Sequence, residues 1–242
     1  MRFMKTTFFA FVLFLMADCA LNAQETTNHP ALKPARQLEH WHRRHEEKLA
    51  IAQKGEIDIV LIGDSITQQG ERTPAFAYYF GKRKTLNIGF SGDKTQNVLW
   101  RLQHGEIDGL KPKLVVLMIG TNNCGGSKPN EILEGIRSIL AEIRQRVPAA
   151  KVLLLSIFPR APGTPFETGK LVNQQLPSLA DGLHIEHVDM NNTFLEKNGD
   201  MKKGLFVKDL LHLNEKGYRA WYAALEPYTS AAIGEQPLPI MP

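Results

Sequence analysis

Cysteine is almost absent. The 242 residues contain two, Cys19 and Cys124, so no disulfide framework or paired-cysteine metal motif can be assembled. Long hydrophobic runs are missing as well. The apolar stretch Phe8 to Met16 is about nine residues, too short to span a bilayer. There is no block of one charge sign: 29 Lys and Arg face 25 Asp and Glu, a net charge of +4. So mild an excess gives little basis for a nucleic-acid partner. No period of about 20–50 residues recurs, which excludes a solenoid. What is present is an ordinary globular composition, 43 % hydrophobic and 22 % charged. That is enough apolar surface for a core and excludes a disordered chain. The length suits one full-sized domain.

Residues 1–23 read as a secretory signal. Arg2 and Lys5 form a positive start, Phe8 to Met16 the apolar centre, and Leu21-Asn22-Ala23 a cleavage site. The expectation is export of a mature protein beginning at Gln24, without stable membrane insertion. A retained anchor, or lipid attachment at Cys19, are the alternatives. Asp18 directly before Cys19 argues against the lipid.

The remainder alternates strand and helix. Asn28 to Pro34 is an extended lead-in, and Gln37 to Lys54 reads as a helix that can bury Trp41. Apolar runs of central-strand type cover Ile57–Ile62, Leu114–Ile119 and Val152–Ile157, with weaker strands at Thr85–Ile88 and His184–Val188. Helices are expected over Thr95–Gln103, Asn130–Arg146, Gly169–Leu179 and Glu215–Tyr228. This pattern predicts a lead-in and helix at 24–56, one α/β domain with a parallel sheet over 57–230, and a loose tail at 231–242. In such sheets ligands bind beyond the carboxyl ends of the strands.

The residues at those ends form a constellation. Gly63-Asp64-Ser65-Ile66 follows the first strand, Gly89-Phe90-Ser91-Gly92-Asp93 the second, and Gly120-Thr121-Asn122-Asn123 the third. Asp209-Leu210-Leu211-His212 lies near the C-terminus. Singly, each has a bland reading: Ser65 as a helix N-cap, Gly92 as a turn residue, Asn122 as a cap. Jointly they supply the parts of acyl transfer. Ser65 can be the nucleophile and His212 its base. Asp209, three residues earlier, can orient the imidazole. Backbone N–H groups of Ser65 and Gly92 and the Asn122 amide can hold an oxyanion.

These blocks, in this order, resemble the GDSL, or SGNH, hydrolase superfamily, whose four name residues match Ser65, Gly92, Asn122 and His212. The stretch from Asn87 to Asn123 is similar to the catalytic subunits of platelet-activating-factor acetylhydrolases. The resemblance implies a flavodoxin-like three-layer αβα sandwich with a five-stranded parallel sheet of order 2-1-3-4-5. It implies Ser-His-Asp hydrolysis of short acyl esters with no metal or organic cofactor. By analogy, Ile66 and Leu211 either wall a small acyl pocket or pack in the core. Asp64 is expected to order the loop, and Asn123 to support it. Arg160 is either a substrate contact or a surface charge. Ser91 and Lys94 depart from the usual pattern and leave the substrate open. Together with the export signal, the expectation is an acetylesterase acting on a carbohydrate. An acyltransferase, a lysophospholipase or thioesterase, and a non-catalytic glycan-binding module are the competing readings. The oligomeric state is not legible.

Three other features read as structural. His40, His42 and His45 sit in a charged helix expected to be exposed, where a metal would bind only opportunistically. Gly92-Asp93-Lys94-Thr95 lacks the glycine spacing of a phosphate loop. Cys124 is expected to be inert and partly exposed.

Overall fold

Five short apolar segments pair side by side into one parallel sheet. In the computed structural model, which describes residues 38–242, they are β1 (Ile59–Gly63), β2 (Thr85–Gly89), β3 (Leu114–Met118), β4 (Lys151–Leu155) and β5 (Ile185–Val188). Their order is β2-β1-β3-β4-β5, with registers such as Ile62 opposite Ile88 on one side and Leu117 on the other. The segment read as an export signal, and the lead-in up to residue 37, lie outside the described residues.

Period-2 alternation sends the strand side chains into two cores. Val60, Ile62, Ile88, Val115, Leu117 and Leu154 face one. The helices α1 (Glu39–Ala52), α4 (Thr95–Gln103), α5 (Pro129–Arg146) and α6 (Thr164–Asn173) cover it. Ile59, Leu61, Leu114, Val116 and Leu153 face the other, beneath α2 (Ser65–Gly70), α3 (Pro74–Phe80) and α7 (Glu215–Ile233). The result is the three-layer sandwich expected. No helix among the described residues is long and apolar enough to cross a membrane.

Several boundaries differ from expectation, each for a local reason. β4 stops at Leu155 because the Asn173 side chain takes over both sides of the Ile157 peptide, accepting from its N–H and donating to its carbonyl at 2.8 Å each. α6 starts at Thr164 rather than Gly169. Two short helices, α2 and α3, fill a stretch to which no element was assigned. Asp64, not Ser65, caps α2, and Thr73 caps α3 ahead of Pro74. α7 runs through Pro227 to Ile233. The charged helix α1 is not simply exposed. Trp41, His45 and Lys48 are buried, and His45 Nδ1 approaches Glu106 at 3.4 Å. Nor is the C-terminal tail loose. Leu238 N–H donates to Glu226 at 2.8 Å, Met241 N–H to the Tyr79 hydroxyl at 3.1 Å, and Arg219 to the Met241 carbonyl at 2.9 Å.

Candidate active site

The carboxyl ends of β1, β2 and β3 bring together residues far apart in sequence. Ser65 opens α2 directly after β1. Asp64 turns the chain there, accepting from Ile66 N–H at 2.9 Å. Its carboxyl is buried, and burial pushes its pKa up to about 7, partly offset by the Ile66 hydrogen bond. Asp64 thus orders the turn that carries Ser65. Ser65 itself is 7 % exposed.

His212 meets Ser65 from the last loop. Its Nε2 lies 2.8 Å from Ser65 Oγ. Its Nδ1 lies 2.6 Å from Asp209 Oδ2. The other Asp209 oxygen accepts from the Leu211 and His212 N–H groups at 2.9 Å each. Burial acts to raise the Asp209 pKa, but the His212 ring and these two N–H groups outweigh it and bring it down to about 2. Asp209 is therefore an anion facing the imidazole at neutral pH. Leu210 sits between them at φ 51°, a left-handed conformation that L residues adopt at a cost of about 1–3 kcal/mol. Its N–H donates to Val207 at 3.0 Å and its carbonyl accepts from Ala161 at 2.7 Å, so both sides of this turn are fixed.

Gly92 and Asn122 lie in the loops after β2 and β3. Gly92 has φ 82°, the left-handed region that favours glycine. Asn122 donates one amide hydrogen to the Asp93 carbonyl at 2.9 Å, leaving the second for a substrate oxygen. Asp93 is 1 % exposed. It accepts from the Trp41 indole at 2.6 Å and from Arg101 Nε at 3.0 Å. Arg101 in turn pairs with Glu106. Burial pushes the Asp93 carboxyl up to about 6, with Arg101 and Trp41 holding it down. Neither the spacing nor the motifs pointed to Trp41, Asp93, Arg101 and Glu106 as parts of this surround. Their partnership exists only once α1 and α4 are packed together.

The remaining candidates divide. Asn123 is buried and ties the start of α4, accepting from Thr95 N–H at 3.0 Å, so it supports rather than touches a ligand. Ile66 is 2 % exposed within the core, which settles it as packing rather than pocket wall. Leu211 is half-buried against the same core. Arg160 donates to the Thr121 carbonyl at 3.0 Å, next to Asn122, and lines a cavity of about 340 Å³ with Lys170, Asn173, Asn191 and Asp200. It is thus more than a surface charge. Cys124 is 1 % exposed rather than partly exposed, and burial pushes its thiol up to about 11, which leaves it unreactive. No cluster of metal-ligating side chains forms among the described residues.

The Ser65–His212–Asp209 relay and the loops that carry Gly92 and Asn122 thus share one end of the sheet. The GDSL-like lipase/acylhydrolase family matches this chain over residues 61–220, a span holding all of them. The chain belongs to that family. Among GDSL relatives, the platelet-activating factor acetylhydrolase IB subunit alpha1 of Bos taurus is 33 % identical over 181 residues, covering 74 % of this chain and 77 % of that protein. A GDSL-like lipase from Bacteroides thetaiotaomicron superposes with a TM-score of 0.66 at 22 % identity, covering 79 % of this chain and 97 % of that one. A carbohydrate acetylesterase from Sinorhizobium meliloti gives 0.57 at 20 % identity, over 73 % and 99 %. The last two speak to the fold of this GDSL member and not to its substrate.

Proposed function

We propose that this GDSL hydrolase is a serine esterase that removes short acyl groups, acetyl above all, from a carbohydrate. The observation that carries the reading is the unbroken relay from Ser65 Oγ to His212 Nε2 at 2.8 Å and from His212 Nδ1 to Asp209 at 2.6 Å. In the first half-reaction Ser65 Oγ attacks the ester carbonyl while His212 Nε2 takes its proton. Asp209 holds the Nδ1–H and stabilises the imidazolium. The tetrahedral oxyanion is met by the N–H groups of Ser65 and Gly92 and the free Asn122 amide hydrogen. Collapse breaks the bond to the alcohol, which leaves with the proton from His212. Water then repeats the sequence on the acyl-serine and releases the acid.

The acetyl preference draws on the relatives named acetylhydrolases, about one-third identical. The carbohydrate carrier draws on the export signal read in residues 1–23 and on polar side chains such as Arg160, Asn173 and Asn191 around the cavity beside the site. The test is hydrolysis of p-nitrophenyl esters from acetyl to decanoyl by the full chain and by Ser65→Ala. The expected result is a fast acetyl rate that falls with chain length and is abolished in the variant. A rate that rises with chain length, or survives the substitution, contradicts the reading.

A further inference from the structure

A second groove, of about 420 Å³, lies beside the oxyanion loop and plays no part in the chemistry above. That size is within the range of small-molecule sites, about 300–1,000 Å³. One wall is α1, where His40, Arg43, Arg44 and Glu47 are spaced to share a helical face. The other is formed by Gln68 of α2 and by Arg72 just beyond it. Ser91 closes the end adjoining Gly92. Its N–H donates to Gln68 Oε1 at 2.6 Å, which couples the groove to the helix that carries Ser65. The groove therefore opens one residue from an oxyanion donor.

Its charge is lopsided. Three guanidinium groups line it against one carboxylate, Glu47. Arg44 is already engaged, donating to the Gly89 carbonyl at 3.1 Å and to Glu71 at 3.2 Å. Glu71 is further neutralised by Lys48 at 2.6 Å. Arg43 and Arg72 are exposed, and the side chain of neither makes a hydrogen bond or ion pair among the described residues. Guanidinium forks match the planar geometry of a carboxylate and bind it through paired hydrogen bonds. The aromatic lining residues, Trp41 and Phe90, are 6 % and 1 % exposed, so an alkyl chain finds no apolar wall here.

We propose that this groove takes the carboxylate of an acidic sugar, so that the acyl carrier is an acetylated uronate-type glycan anchored at Arg43 and Arg72. The proposal rests on the esterase reading and specifies its substrate class. Anchoring the carrier there leaves its neighbouring ester beside Gly92 and Ser65.

The test compares the full chain with Arg43→Ala/Arg72→Ala on three substrates. These are an O-acetylated oligogalacturonide, the same oligomer with its carboxyls methyl-esterified, and p-nitrophenyl acetate. The expected result is a loss of about tenfold in kcat/KM on the charged oligomer, carried by KM, from the lost charge-assisted hydrogen bonds. Rates on the two neutral substrates stay at wild-type values. Added salt reproduces the loss in the wild type and not in the variant. Equal rates for both proteins on the charged oligomer overturn the proposal, as does an equal loss on all three. A parallel arm with an acetylated phospholipid in vesicles identifies the source of the anion: an arginine-dependent gain confined to it overturns the sugar and assigns a phosphate headgroup instead. If no ester is turned over, titration calorimetry with deacetylated oligogalacturonide separates the two claims. Arginine-dependent binding upholds the groove while the esterase reading fails; no binding overturns the groove.

Discussion

The two sides of Ser65 are built in opposite ways. On the base side, Asp209 and His212 are three residues apart and their arrangement is local: one carboxylate accepts from two backbone N–H groups and the ring of the same short turn. These side chains are 48 % and 23 % exposed. On the side proposed to hold the oxyanion, Asn122 rests on Asp93, which is clamped by Trp41 from 52 residues away and by a wholly buried Arg101. A local turn can be changed without disturbing the fold. A buried ionic cluster cannot, because removing one partner strands the other's charge in the interior. Activity and stability should therefore separate on the base side and move together on the oxyanion side.

The sharpest contrast pairs Asp209→Asn with Arg101→Met. Asp209→Asn keeps one side-chain oxygen to accept from the turn but not the anion, so kcat should fall about 10⁴-fold with a stability loss well below that of Arg101→Met. Arg101→Met leaves Asp93 and Glu106 buried without their cation and should cost about 3–5 kcal/mol of stability, read by denaturant unfolding. Equal stability losses in the two variants would erase the distinction. Next in size, Asn122→Ala removes one oxyanion donor and should lower kcat about 10²–10³-fold with KM nearly unchanged.

Trp41→Phe is the finer probe. It keeps the ring and deletes the N–H that binds Asp93, so kcat should fall about tenfold, in step with a lost hydrogen bond to a charged group. If Trp41 acts through Asn122, the kcat effect disappears in the Asn122→Ala background. Full additivity in that cycle would confine Trp41 to the fold.

A further contrast is one of pH. The Asp64 pKa is raised to about 7 in the folded chain from 3.8. Between those values the folded state holds more protons than the unfolded one, so this carboxyl's contribution to stability falls as pH rises from about 4 to about 7. Asp64→Asn should therefore unfold at a higher temperature than wild type at pH 8 and at a similar one at pH 4. Asp209, lowered to about 2, has the opposite sign: its stabilisation is present above about pH 4 and is lost as pH falls towards 2.

The same contrast explains what could be read before the fold was known. The Asp209–His212 pair was legible because three residues' spacing lets both side chains share one turn and because the block resembles the family's. The strands were legible because a buried parallel sheet demands continuous apolar runs, and Ser65, Gly92 and Asn122 because they follow such runs. Helices α2 and α3, at six and seven residues, are too short to display a period. The roles of Trp41, Arg101 and Glu106 had no sequence signal, since a charged or aromatic residue in a helix is as often on the surface as in a cluster. Ile66 beside Ser65 could be read as pocket wall or as core, and the first turn of α2 points it into the core.

The central claim is that Ser65 is the nucleophile of this relay, and covalent labelling tests it most directly. The full chain is incubated with a p-nitrophenyl alkylphosphonate, digested, and the modified peptide sequenced by mass spectrometry. The predicted result is one phosphonyl group per chain, on Ser65, with loss of esterase activity in the same proportion and no labelling of Ser65→Ala. Esterase activity that persists with Ser65 unmodified, or a label on another residue that tracks the loss of activity, would contradict it.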